Sequence, residues 1–267
     1  MGIFEAIVLG IVQGITEFLP VSSSGHLVIL QKVFGILEPA LLFDTMLHIG
    51  TLFAVFFVLW KDILKILKAP IQRITGLLII ATIPIVVIAL IFKAFIKEVF
   101  SSASYIGFFF LVTATALFLA ERLSKRAGET KNESEMNWKD ALIIGILQGI
   151  AIMPGVSRSG LTLSGALSRK LERGFAARFS FLMSIPAILG ALVFQLKDVI
   201  KSDAIVFSGS ALLPIVIGTV TAAIVGIFSV RLMLKIVREK SLTGFAIYVT
   251  IIGTITLIDQ YITKFYF

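Results

Sequence analysis

Two stretches of this chain align at a constant offset of 135 residues without a gap: 6–25 and 141–160 are identical at ten of twenty positions. The first contains QGITEFLPVSSSGH, from Gln13 to His26, and the second QGIAIMPGVSRSG, from Gln148 to Gly160. Both sit in a chain that is 58% hydrophobic with a mean hydropathy of +1.02. Soluble domains carry about 45–50% apolar residues, so this composition reads as a polytopic membrane protein. Polar groups at membrane depth are costly unless they pair or line a wet cavity, and they usually mark function. A polar motif present twice in register therefore constrains the fold to an inverted-topology repeat, whose broken helices meet around a ligand near the bilayer midplane.

The apolar runs fit that plan. Residues 3–19 end at Pro20, and 23–34 end at Gly35. Both fall short of the ~20 residues needed to cross a bilayer, so they read as a re-entrant helical hairpin. Non-helical backbone at that depth survives only when buried in protein or facing a cavity. Residues 41–60, 74–92 and 105–120 read as full spans, the last two joined by a short loop carrying Lys93, Lys97 and Glu98. The mixed-charge stretch 121–139 connects the halves, giving one membrane domain with repeat half 1 at 1–135 and repeat half 2 at 136–267. In the second half 141–153 and 159–167 are again too short to cross, a basic loop follows over 169–178, and 179–195, 211–230 and 243–262 are spans. The expected fold is all-α: in each half, a re-entrant helical hairpin plus three transmembrane helices.

Net charge is +8, which positive-inside sorting of Lys and Arg explains. With the N-terminus outside, the clusters at 61–73, 121–139, 169–178 and 231–240 place 17 basic residues in the cytoplasm and leave six outside. Both termini are then external. No cysteine is present, which excludes disulfides, thiolate catalysis and Cys-ligated metals. The opening MGIFEAIVLGI lacks a basic n-region and cleavage site, so it reads as mature sequence, and Ala6 replaces the Ser or Thr of a myristoylation signal.

The mismatches between the two copies are more informative than the matches. Glu17 aligns with Ile152, Ser23 with Arg158 and His26 with Leu161. One copy thus supplies an acid and a histidine, the other a guanidinium. Gln13 and Glu17 are four apart and share a helical face. After Pro20, and after Pro154-Gly155, the serines open the next helix, where free backbone N–H groups and the dipole attract anions. Two such termini with Arg158 as a bidentate donor describe a phosphate or diphosphate pocket. Ser22, Ser24, Gly25, Ser157, Ser159 and Gly160 at these two helix starts are the candidate phosphate binders, with Glu17, His26 and Arg158 the polar groups that set the two copies apart. Asp44 and His48 form another i,i+4 pair, either supporting the site or making an interhelical hydrogen bond, and stay outside the catalytic set.

These motifs resemble the undecaprenyl-diphosphate phosphatase family, the bacitracin-resistance proteins, over essentially the whole chain. QGITEFLPVSSSGH fits the family's (E/Q)xxxE and Ser-Gly-His segment, and PGVSRSGLT fits its PGxSRSxxT segment. The resemblance implies an active-site set of Gln13, Glu17, Ser23, His26, Ser157, Arg158, Ser159 and Thr162, in which Glu17, Ser23, His26 and Arg158 are the catalytic candidates and Thr162 a further phosphate binder. It also implies hydrolysis of undecaprenyl diphosphate to the monophosphate, recycling the cell-wall lipid carrier, in a bacterial plasma membrane with the site facing outside. A divalent cation (Mg²⁺ or Ca²⁺), a homodimer and competition by bacitracin for the lipid are implied as well. Combined with the residue chemistry, Gln13 and Glu17 would hold the cation through oxygen. His26 would act as general base or acid on Ser23 or on water.

Two rivals stand beside this reading. A second lipid-phosphatase superfamily shares Ser-Gly-His and Ser-Arg segments, but its Arg-Pro element is absent here and no histidine follows His48. A membrane transporter or lipid-phosphate flippase would also use an inverted repeat with broken helices; phosphate release by purified protein separates it from an enzyme.

Overall fold

The computed structural model describes residues 1–36, 41–125, 130–201 and 209–267, and these are almost wholly helical. The order is α1 Ile3–Thr16, α2 Ser23–Val33, α3 Leu41–Val58, α4 Trp60–Lys68, α5 Arg73–Ile91, α6 Lys93–Ser102, α7 Ile106–Lys125, α8 Trp138–Ile150, α9 Arg158–Ser168, α10 Arg173–Lys201, α11 Gly209–Glu239 and α12 Thr243–Ile258. A π-turn, Asp259–Thr263, follows α12. An isolated bridge between Lys131 and Leu171 ties the connector to the turn after α9.

The four helices on either side of the two expected breaks are too short to cross. α1 and α8 have 14 and 13 residues, and α2 and α9 have 11 each. At 1.5 Å per residue these reach only about 16–21 Å of a hydrocarbon core of about 30 Å. Five other stretches are long and apolar enough to span: Arg73–Ile91, Ile106–Lys125, Arg173–Val193, Leu212–Glu239 and Thr243–Thr263. The pair Leu42–Val58 and Trp60–Lys68 passes the same test together but is bent by 77°. The chain is a multi-pass membrane protein. Large apolar side chains on these spans point outward, among them Ile79, Leu90, Phe228 and Ile255, each more than half exposed.

Three expectations change. The crossing read as 41–60 stops at Val58, and the basic stretch beyond it is an amphipathic helix, α4, set at an angle to α3. The expected loop with Lys93 and Glu98 is the ten-residue helix α6. The expected basic loop 169–178 is a short turn, because α10 already begins at Arg173. Arg126, counted among the inside charges, lies outside the described residues, as do the side chains of Lys97, Lys197 and Lys201.

The first helix of each short pair packs on a span from the other half of the sequence: α1 on α11, and α8 on α5. Glycine makes this possible. A Cβ at Gly10 would meet the Gly218 carbonyl at 2.6 Å, and one at the equivalent Gly145 would run into the Ala81 carbonyl. Around these contacts Phe18, Leu117, Ile144, Leu163, Phe179 and Phe181 form a fully buried core. Dispersion over many such atoms, not exclusion of water, holds helices together in lipid.

Candidate active site

The tips of the two hairpins touch. Ser22 caps α2 by accepting from the Gly25 N–H at 3.3 Å, and Ser157 caps α9 by accepting from the Gly160 N–H at 3.0 Å. These are matched positions of the repeat. The next matched pair reaches across: Ser24 Oγ accepts from the Gly155 N–H at 3.3 Å, while Ser159 Oγ donates to the Leu19 carbonyl at 2.9 Å. Gly25 has no room for a side chain, since a Cβ would meet Phe110 at 2.5 Å and Gly155 Cα at 3.1 Å. Gly155 sits at φ +94, where glycine is favoured. Ser22 holds φ 70 without that freedom, a local strain costing about 1–3 kcal/mol that often accompanies function. Thr113 of α7 anchors the second tip by accepting from the Ser157 N–H at 2.9 Å.

Glu17, only 7% exposed, is the hub. Its Oε1 accepts from Arg158 Nη2 at 2.6 Å, joining the hairpins by a part-buried ion pair. Its Oε2 accepts from Ser23 Oγ at 2.6 Å and from Gln13 Nε2 at 3.1 Å. His48 Nδ1 of α3 lies 3.0 Å from Gln13 Nε2 and 3.5 Å from Glu17 Oε2. Gln13, Glu17, Ser23 and Arg158 are thus gathered at one point. Two buried polar atoms there have no protein partner: Arg158 Nη1 and Gln13 Oε1. Unpartnered buried polar groups are costly, and in a site they fit a ligand that satisfies them.

His26 is placed differently from the sequence expectation. Its Nδ1 lies 2.7 Å from the Ser22 carbonyl, and its Nε2 lies 2.8 Å from the Tyr248 hydroxyl of α12, the two ring planes 9° apart. A carbonyl oxygen only accepts, so Nδ1 carries the proton and the Nε2 lone pair receives the Tyr248 O–H. The hydroxyl of Ser23 donates to Glu17, not to His26. Thr162 is also engaged elsewhere: fully buried, its hydroxyl lies 2.6 Å from Ser180 Oγ and 2.9 Å from the Arg158 carbonyl. It supports the first turn of α9 from behind.

His48, Tyr248, Thr113 and Ser180 join the site without having been assigned to it. His48 had one signal, its i,i+4 spacing from Asp44, but Asp44 is engaged by Gln31, accepting from its Nε2 at 2.7 Å. Tyr248 and Ser180 lie in spans whose patterns say nothing of the hairpins.

The arrangement is a buried carboxylate, a serine hydroxyl and a half-free guanidinium at the N-termini of two helices, which suits phosphoryl chemistry. Residues 6–255 match the family described as bacitracin resistance protein BacA. The chain is similar to the undecaprenyl-diphosphatase of Carboxydothermus hydrogenoformans, 47% identical over 265 residues, covering 99% of this chain and all of that protein. It is also similar to the undecaprenyl-diphosphatase of Methanosphaera stadtmanae, 43% identical over 280 residues, with 97% and 98% coverage. Undecaprenyl-diphosphatase 4 of Bacillus thuringiensis is 44% identical over 261 residues, with 98% of each chain covered.

Proposed function

We infer the activity of this protein from one premise: the chain belongs to the bacitracin resistance protein BacA family. It is an undecaprenyl-diphosphatase, a membrane hydrolase that splits undecaprenyl diphosphate into the monophosphate and inorganic phosphate. The observation that carries the mechanism is the Glu17–Arg158 contact across the hairpin tips, with Arg158 Nη1 unpartnered beside it.

In the proposed mechanism Arg158 Nη1 and the N–H groups opening α2 and α9 hold the diphosphate oxygens. Ser23 Oγ attacks the terminal phosphorus. The Oγ–P bond forms, the bridging P–O bond breaks with its electrons leaving on the lipid monophosphate, and the Ser23 proton passes to Glu17 Oε2. The short Ser23–Glu17 hydrogen bond supports Glu17, rather than His26, as the acceptor. Water then attacks the phosphoserine, the Oγ–P bond breaks, Glu17 returns its proton to Ser23 Oγ, and inorganic phosphate leaves. His26 serves this second step once Tyr248 yields its Nε2. Direct attack by water is the alternative, and trapping a phosphoenzyme distinguishes the two.

A divalent cation, Mg²⁺ or Ca²⁺, fits the donors present. Gln13 Oε1 is buried without a partner next to the Glu17 carboxylate, and both are hard oxygen ligands. Among the described residues no cluster of three or more His, Cys, Asp or Glu forms, so substrate phosphate oxygens would complete the shell. The ion would offset charge on those oxygens.

The inverted-topology repeat is supported by the reciprocal Ser24 and Ser159 contacts and by the paired packing of α1 on α11 and α8 on α5. The distribution of basic residues supports external termini, and a reporter at the C-terminus found in the cytoplasm would contradict that; the outward-facing site is carried over from the family resemblance. Assembly as a homodimer and competition with bacitracin for the lipid complete the proposal. Its test is phosphate release from undecaprenyl diphosphate by purified protein, with and without chelator, in wild type and Glu17→Ala. A carrier would release none.

A further inference from the structure

The bend between α3 and α4 makes a second feature, and none of its residues belongs to the hairpin site. An open pocket of about 590 Å³ is lined by Phe53, Phe56, Phe57 and Val58 of α3, Trp60 of α4 and Arg231 of α11. The Arg231 guanidinium lies 5.8 Å from the Phe57 ring centroid. Among the described residues no carboxylate pairs with it. Next to the pocket, α4 buries none of its residues and turns 77° away from the span. Its Lys61, Lys65 and Lys68 recur at i, i+4 and i+7 on one exposed face, with Ile63, Leu64, Ile66 and Leu67 on the other.

A basic amphipathic helix that starts with an exposed tryptophan lies in the plane of a membrane interface. The pocket opens at that level. An unpaired guanidinium above an aromatic floor wants an oxyanion, and its fork matches phosphate. The three lysines alongside set a positive field that disfavours any headgroup carrying its own cation. We propose that this pocket binds one anionic glycerophospholipid. Arg231 holds its phosphate, Phe53 and Phe57 lie along its acyl chains, Trp60 sits at the glycerol level, and the α4 lysines select net negative charge.

The test is native mass spectrometry of the purified full-length protein, titrated with phosphatidylglycerol or phosphatidylcholine of identical acyl chains. Wild type binds one phosphatidylglycerol in clear preference. Arg231→Gln weakens that binding by about fivefold, since each cation near an anionic lipid contributes about 1 kcal/mol. Arg122→Gln, a surface cation with no aromatic pocket, leaves it unchanged. Phosphate release in detergent stays at the wild-type level in Arg231→Gln, because Arg231 touches nothing in the hairpins. If Arg231→Gln does not fold, the exposed pair Lys61→Gln and Lys65→Gln carries the test, with lost headgroup preference expected. Equal uptake of the two lipids by wild type overturns the proposal. So does unchanged phosphatidylglycerol affinity in a folded Arg231→Gln, or one-for-one displacement by undecaprenyl phosphate, which would make the product lipid the occupant.

Discussion

Arg158 does two jobs with one side chain, and Arg158→Lys separates them. Nη2 donates to Glu17 Oε1 at 2.6 Å, while Nη1 is buried without a protein partner and is the arm assigned to the diphosphate. A lysine ammonium is a point charge and can keep the ion pair or reach the phosphate, but not reproduce the fork. Keeping the pair preserves most of the stability, because the buried carboxylate is not left alone. What disappears is one hydrogen bond to a charged oxygen, about 1.5–3 kcal/mol. At 1.4 kcal/mol per decade that is roughly a 10- to 100-fold fall in kcat/KM. The assay is phosphate release across substrate concentrations, run beside the thermal midpoint in detergent. A variant that melts like wild type and turns over within about twofold of it would refute the phosphate clamp. Loss of activity together with a collapsed midpoint would assign Arg158 to hairpin docking instead.

The remaining predictions follow from the same contacts. Ser23→Ala should lower turnover by more than about a hundredfold and abolish acid-stable phosphoenzyme; near-normal turnover would pass the attack to water. Tyr248→Phe keeps the ring against His26 but removes the hydroxyl from Nε2, so the pH profile of kcat should move while KM holds. Superimposable profiles would remove Tyr248 from the mechanism. Gly145→Leu forces α8 off the Ala81 carbonyl and should cost about 1–3 kcal/mol, read as a lower midpoint; an unchanged midpoint would mean the helices are not packed this closely. At the first turn of α8, burial pushes the Asp140 carboxyl up, but hydrogen bonds from the Asn137 N–H, Arg169 and Lys131 outweigh it and hold it below the usual range. Its folded pKa is depressed, so its stabilisation is present at neutral pH and fades as acid protonates it. Asp140→Asn should therefore narrow the stability difference between neutral and acidic pH, and parallel pH–midpoint curves would refute this.

Membrane class, the hairpin breaks and the capping serines were legible from one chain because each is a local property. Run length distinguishes a half-crossing from a crossing, and a serine after a proline caps the next helix whatever surrounds it. The repeat also sorted its own positions. Ser22 and Ser157, Ser24 and Ser159, and Gly10 and Gly145 recur because both copies need the same caps and close approaches. Glu17, Ser23 and Arg158, where the copies differ, converge on one another.

Tertiary structure alone decided the partners. His48 meets Gln13 from 35 residues away, and Tyr248 meets His26 from 222 residues away; no pattern along a uniformly apolar helix tells which of its faces turns inward. The 77° bend after Val58 is equally unwritten: the basic cluster at 61–73 marks where the crossing ends, but not that it forms a helix set at that angle to α3. Helix propensity and capping act within a turn or two, whereas the identity of a facing side chain depends on how close glycine lets two backbones come.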